Sequence, residues 1–561
     1  MRTSLRLGGT METRDLRDAA GDLVVDTDVC IVGTGPAGIA VALEVARSGA
    51  RVVLLEGGGR SREPDTQALY DLESVGHPWG VEGAERRVRV LGGSSTAWSG
   101  RCATFSPMEL RARSWILESG WPLSPDALAP HLERAAKLLG LGPLFDEDPD
   151  AAWDRFGVSP PTPRLDPGRL RTRLWQFSRN GEGGYVDAAR DLMPRLDVHR
   201  KVNVYLHANV TRVLSSEGGR VTGVRAASLG GPQLWVRAPR VVLACGGLEN
   251  ARLLLASDDR RPEGLGNGHD LVGRYLQEHP SPVLGTFAPR DAERVLDRLG
   301  HYWLDGSGGR HVYAVGVGLP ARVQERLGLP SAVAYVNAEL REDAAWLSLR
   351  RLARADLGPS ERAKEAWNVV RRPRELLGAV LRRARHRPEI LPVRRLSMVC
   401  NPEPIPSPES RVTLARRRDA LGVPLLRVDW RIDSRGRDAS LAMLGALERE
   451  LPRLGLPRLT PSDWTQDRAD WRAAFVDHAH PMGTTRMASS PRRGVVDEDG
   501  QVHDVPGLFV AGASVFPTGG TAHPTLLIAA LASRLGAHVR ALVEAEVSPQ
   551  VKSTERVAHV A

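Results

Sequence analysis

The chain has 561 residues, 42% of them hydrophobic and 25% charged, a globular composition on a length that calls for two large structural units rather than one simple core. Its net charge is +9, which fits either an acidic partner or substrate or a plain compositional bias toward arginine. The sequence carries no RNA-binding signature, zinc-finger spacing or aromatic-interleaved basic patch, so a nucleic-acid partner is not expected.

Asp28-Val29-Cys30-Ile31-Val32 is a short apolar run with the pattern of a buried parallel strand. Gly33-Thr34-Gly35-Pro36-Ala37-Gly38 follows at once, and Ile39 to Arg47 then reads as a helix ended by Ser48-Gly49. Arg51-Val52-Val53-Leu54-Leu55-Glu56 is the next strand. Glycines at the first turn of a βαβ unit and an acid at the end of its second strand form a dinucleotide-binding fingerprint. Gly33 permits the tight turn, Gly35 lets the backbone approach a pyrophosphate, and Gly38 lets the helix pack close to the sheet. Pro36 and Ala37 open a helix whose N–H groups and positive end suit phosphates, and Glu56 can accept hydrogen bonds from a ribose diol. This fingerprint alone does not separate FAD from NAD.

A second glycine-rich loop, Arg87 to Gly100, holds Gly92, Gly93, Ser94, Trp98 and Ser99, with small residues where backbone could meet a ligand. Asn209-Val210 to Leu214 and Arg220 to Arg225 read as strands joined by the turn Glu217-Gly218-Gly219. Arg240 to Gly247 and Leu508 to Gly512 are further buried strands, and all of these are expected to return to the nucleotide-binding unit. Thr525 to Val539 is apolar and Ala-rich, consistent with a packed helix. Between these pieces lie two insertions, from about Pro107 to Arg200 and from about Pro282 to Asp470. The second contains strand-like Ser410 to Leu414 and Pro424 to Trp430, and the segment Arg341 to Arg395, which has helical periodicity and many arginines. That segment reads either as a solvated helical face or as a surface for a membrane or an acidic partner.

The four cysteines, Cys30, Cys102, Cys245 and Cys400, are widely spaced, which argues against a disulfide framework and for a reducing compartment. Met1 to Gly8 lacks the apolar stretch of a secretory signal, and no run reads as long and apolar enough to cross a bilayer, so a cytoplasmic location is expected.

Histidines stand out near the C-terminus, in His478-Ala479-His480-Pro481-Met482-Gly483-Thr484 and in Thr521-Ala522-His523-Pro524-Thr525. A neutral imidazole is suited to take a proton near pH 7. His478, His480 and His523 together also have the makings of a three-histidine metal site. No metal is expected, because that reading leaves the nucleotide motif unexplained.

Taken together, these motifs resemble the glucose–methanol–choline (GMC) oxidoreductases, which are FAD enzymes. The resemblance spans nearly the whole chain: the Gly33 fingerprint with Glu56, the Gly92-Gly93-Ser94-Ser95 loop, Val272 to Pro280, Pro406 to Leu414, His480 to Thr484, and Ala513 to Thr518 leading to His523-Pro524-Thr525. Met482 to Met487 and Gly120 to Leu128 look like the branch acting on sugars and polyols. The implied fold is α/β, an FAD-binding Rossmann-like domain with a discontinuous α+β substrate domain of antiparallel sheet plus helices. The expected division is 20–106, 201–281 and 471–545 for FAD, 107–200 and 282–470 for substrate, with 1–19 and 546–561 as flexible termini. The resemblance implies cofactor contacts from Gly33, Gly35, Pro36, Ala37, Gly38, Glu56, Gly92, Gly93, Ser94, Trp98, Ser99, Val210, Gly512, Ala513, Pro524 and Thr525.

It further implies oxidation of an alcohol on a sugar, glycoside or polyol, with His480 taking the hydroxyl proton, His523 holding the substrate oxygen, and a hydride passing to flavin N5. A hydrophobic alcohol (aryl, terpenoid or steroid) and a non-redox lyase on the same scaffold are the alternatives. His279 is read either as structural or as a group standing behind the residues that meet the substrate. Two departures matter. Ala97 stands where some sugar oxidases of the family carry a flavin-linking histidine, so the FAD is expected to be non-covalent. Gly512 stands where many members have an aspartate. The electron acceptor, oxygen or a separate carrier, is left open.

Overall fold

The computed structural model describes residues 3–5, 11–79, 87–145, 151–182, 184–306, 309–353, 357–386 and 390–558. At its centre lies a six-stranded parallel sheet in the order Glu12–Asp15, Val202–Leu206, Val52–Leu55, Val29–Val32, Val241–Leu243, Leu508–Val510. The strands Val29–Val32, Val52–Leu55 and Val202–Leu206 are buried throughout, as expected of a parallel sheet covered on both faces. The helix Pro36–Val45 crosses between the first pair and packs against the long C-terminal helix Thr525–Ala558.

Several expectations need correction. The 209–225 hairpin forms as read, Asn209–Ser215 antiparallel to Val221–Ala227, but in a different sheet. That sheet has five strands, in the order Thr3–Leu5, Leu23–Asp26, Gln233–Arg237, Val221–Ala227, Asn209–Ser215. Thr3–Leu5 and Glu12–Asp15 are strands, and the last helix runs on through Ala558, with 559–561 outside the described residues. The sequence of this helix was also under-read: Thr525–Glu546 is long and apolar enough by composition to cross a membrane, with a mean hydropathy of 1.5. Most of it is buried inside the protein, against Pro36–Val45 and the helix Pro125–Leu138.

The remaining large layer is an antiparallel sheet in the order Thr460–Pro461, Val283–Phe287, Val393–Pro402, Ala332–Leu340, Gly309–Gly318, Arg171–Phe177, Arg101–Cys102, with His301–Gly306 paired to Gly309–Gly318. It recruits strands from residues on both sides of position 107. The two strands read at 410–430 also form, as Arg411–Arg418 and Pro424–Trp430. They join Leu72–Gly76 in a separate three-stranded sheet instead of the large antiparallel one. The Arg-rich segment is three helices, Ala345–Leu352, Pro359–Val370 and Pro373–Ala384. All four cysteines are unpaired.

Candidate active site

The turn after Val29–Val32 is shaped by close backbone approach. A Cβ on Gly33 would lie 2.5 Å from the Ala244 carbonyl oxygen, and one on Gly38 would lie 1.9 Å from the Gly33 oxygen. Strand, turn and helix therefore touch through backbone, which only glycine allows. The helix Pro36–Val45 starts with no side-chain cap, so its first N–H groups remain for a ligand. Glu56 closes the unit. Its carboxylate accepts hydrogen bonds from the Thr34 N–H at 3.2 Å, the Thr34 hydroxyl at 2.5 Å and the Gly58 N–H at 2.9 Å. Burial pushes this carboxyl above its ordinary range. The Thr34 hydroxyl also accepts from the Gly92 N–H at 3.2 Å, so one threonine ties the acid, the first glycine loop and the second.

A cavity of about 530 Å³ opens over this turn. Gly33, Gly35, Pro36, Ala37, Glu56, Gly93, Ser94, Trp98, Ser99, Val210, Gly512, Ala513, Pro524 and Thr525 line it, and so do His480 and His523. Gly38 and Gly92 do not: one packs on the turn beneath and the other holds Thr34. Sequence reading passed over Thr34, Tyr70, Arg101 and Glu249, which also line it, and gave no role to Arg87 and Arg89, which do too. Arg87 and Arg89 pair with Glu249 at 3.3 and 3.5 Å and lie over the Tyr70 ring at 4.8 and 4.2 Å. Their alternation in Arg87-Val88-Arg89 was the available signal. An uncapped helix N-terminus, a buried acid and one continuous space reaching the histidines fit a dinucleotide whose reactive ring is brought to the imidazoles.

The histidines come from loops about forty residues apart in the chain. The His480 and His523 rings stand 5.2 Å apart between centroids, at 74° to each other. His523 is buried, and its Nδ1 has no hydrogen-bond partner among the described residues. Burial first, then His480, Arg101, His279 and His478, holds its pKa well below that of an ordinary imidazole. His279, read from sequence as support, touches both sides of the site. Its Nε2 lies 2.9 Å from the Gly520 carbonyl oxygen, and its Nδ1 lies 3.1 Å from Nδ1 of His480. A carbonyl can only accept, so Nε2 of His279 carries hydrogen. Burial lowers the pKa of His279 and keeps it neutral, which leaves its Nδ1 as the acceptor. In a neutral His480 the Nδ1 is then the donor and Nε2 carries the lone pair.

Two buried glutamates hold the loops. Glu278 accepts from the backbone N–H groups of His279 at 2.9 Å, His478 at 3.3 Å and His480 at 2.8 and 2.7 Å. This clamps a turn in which Ala479 has φ 56°, a left-handed conformation unfavourable to a side chain. Burial, followed by Asp477, raises the Glu278 pKa well above the ordinary carboxyl range, against three N–H donors that favour the anion. Glu109 does the same for the other loop. It accepts from Thr521 N–H and Oγ1, both at 2.8 Å, and from Ser106 N–H and Oγ at 2.7 and 2.9 Å. Burial is the largest influence on Glu109 and opposes ionisation, but Arg173, Ser106 and Thr521 prevail and lower its pKa. Gln277 adds a third tie, donating to the Pro517 oxygen at 3.1 Å and accepting from the Gly519 N–H at 2.8 Å. Gln277-Glu278-His279 thus cross-links both histidine loops.

Gly512, the departure noted above, has φ 111° and ψ −174°, a region open essentially to glycine alone. Beside it, buried Asn250 donates to the Ala511 oxygen at 3.0 Å and accepts from the Cys245 N–H at 2.8 Å, joining the ends of two central strands. Among the described residues, no group of three His, Cys, Asp or Glu side chains is arranged to hold a metal ion.

Comparison with known proteins accords with this geometry. An FAD binding domain model matches residues 26–69, and GMC oxidoreductase models match 186–281 and 406–532. The chain is 25% identical to 2-methyl-1,2-propanediol dehydrogenase of Mycolicibacterium austroafricanum, over 91% of this chain and 95% of that protein. It is also 25% identical to a C-glycoside 3-oxidase of Arthrobacter globiformis, over 90% and 93% respectively. The fold superposes on pyridoxine 4-oxidase from Mesorbium loti with a TM-score of 0.54 and 19% identity, covering 91% of this chain and 98% of that one. The chain belongs to the GMC oxidoreductase family and is an FAD-dependent oxidoreductase.

Proposed function

We propose that this enzyme oxidises an alcohol carried by a polyol, sugar or glycoside, with His480 as general base. The observation that supports the reading is the hydrogen-bond order Gly520, His279, His480, in which a neutral His480 would keep its Nε2 lone pair for substrate in the cavity shared with the nucleotide cradle. Nε2 of His480 takes the hydroxyl proton. His523, kept neutral by its surroundings, holds the substrate oxygen by hydrogen bond and steadies the negative charge that develops there. Glu278 and Glu109 keep the two imidazoles from drifting apart. FAD, when bound, supplies the two-electron acceptor for the carbinol hydride. The polyol and glycoside reading draws on relatives named as acting on a diol and on C-glycosides.

Binding is proposed to be non-covalent, since Ala97 lines the cavity and offers no nucleophile. Acid precipitation is expected to leave a colourless pellet and a yellow supernatant. The function is tested by mixing the holoenzyme anaerobically with polyols, sugars, glycosides and apolar alcohols. Bleaching of the flavin by a member of the first three classes is expected. Bleaching by apolar alcohols alone, or turnover without bleaching, contradicts the proposal.

A further inference from the structure

The Arg-rich helices are built inside out. Pro359–Val370 has no buried residue, and Pro373–Ala384 has only Ala379. A 12-residue helix is marginal in water by itself and normally gains its stability by burying an apolar stripe. Here the stripes face outward. Ala363, Ala366, Trp367 and Val370 follow i, i+3, i+4, i+7 spacing and are exposed, as are Leu377, Val380, Leu381 and Ala384 on the next helix. Trp367 is 64% exposed and Leu377 59%, values foreign to residues that serve a core.

The arginines that face the protein are engaged. Arg351 pairs with Glu365 at 2.8 Å, Arg372 with Glu375 at 3.2 Å, Arg382 with Asp297, and Arg383 lies over the Trp303 ring at 3.9 Å. Among the described residues of this helix pair and its end, the exposed charges beside the apolar stripes are Arg362, Lys364, Arg371, Arg374 and Arg385, against Glu361.

We propose that this helix pair is a docking face for an anionic phospholipid surface. Apolar stripes that include a tryptophan, beside a cationic border, match the acyl boundary and the negative headgroups together. A second copy of the chain would bring the same cations against one another. An acidic protein would answer the cations and leave the aliphatic stripes to water.

The test uses holoenzyme sedimented with vesicles of phosphatidylcholine alone and of phosphatidylcholine mixed with phosphatidylglycerol. Binding is expected only to the anionic vesicles, and is expected to be lost in high salt. Arg371→Glu combined with Arg374→Glu is expected to lower partitioning by about tenfold or more. Trp367→Ser combined with Leu377→Ser should abolish it. Both variants should keep their bound flavin and Tm, since neither touches the buried structure. Failure to bind anionic vesicles at low salt, equal binding to uncharged vesicles, or undiminished binding by both variants overturns the proposal. So does concentration-dependent dimerisation abolished by the serine variant, which would assign the face to a second copy.

Discussion

The nucleotide cradle and the histidine pair solve the same problem, holding polar atoms at fixed places around one cavity, by different means. The cradle is local. Gly33 to Glu56 spans one βαβ unit, its ligand-facing groups are backbone N–H groups, and its one acid is tied to Thr34, 22 residues away. The histidine pair is built from a distance. His480 is held by Glu278 at a separation of 202 residues, and the His523 loop by Glu109 at 412. A site made of backbone tolerates change wherever the backbone survives. A site made of side chains on strained loops depends on the buried groups behind them.

This difference can be broken at either end. The largest effect is expected in the cradle, where Gly38→Val drives a side chain into the Gly33 carbonyl. Soluble protein with bound flavin should be lost altogether, as measured by the flavin-to-protein absorbance ratio. A variant that keeps a full complement of flavin would show that the turn and helix can separate. A smaller effect is expected behind the histidines. His279→Leu removes the acceptor that orders His480, so the rate of flavin reduction should fall by about tenfold to a hundredfold, part of what a positioned base contributes. The KM should change little and the pH profile of the rate should move, because the tautomer of His480 is no longer set. An unchanged pH profile would reduce His279 to packing.

The smallest effect is on stability. His279 and His523 are buried with pKa values lowered from 6.5. The unfolded chain therefore takes up protons first as the pH falls. Their contribution is complete above pH 6.5 and declines below it, toward the lowered folded-state values. Tm should drop on acidification through that window, and the slope should shrink in His523→Asn. A slope unchanged by that substitution would place the acid sensitivity elsewhere.

The same contrast explains what could be read from the sequence. The cradle was legible because its spacing encodes its geometry: glycines at a turn, a helix, then an acid. The histidines were legible as a family resemblance, since nothing in the 42 residues between them shows that their rings meet. The partners were not legible. Glu109 sits in Ser106-Pro107-Met108-Glu109, an ordinary helix-capping pattern, and only the tertiary fold brings the Thr521 amide to its other oxygen. The sequence left His279 between a structural role and a supporting one behind the site, because its part depends on which atom of Gly520 and of His480 it meets. The 209–225 hairpin was recognised by its turn, but the sheet it joins was not legible, since alternation identifies a strand and not its neighbour. The edge strand Glu12–Asp15 has the polar sequence Glu-Thr-Arg-Asp and gave no periodic signal at all.

The most direct test of the central claim is anaerobic stopped-flow reduction of His480→Ala by an alcohol that bleaches the native enzyme. The variant should carry a full complement of FAD, because the cradle does not use this imidazole, while its flavin reduction slows by about 10²- to 10⁴-fold. Reduction at the native rate would contradict the assignment of His480 as the proton acceptor, whatever the nucleotide end of the cavity holds.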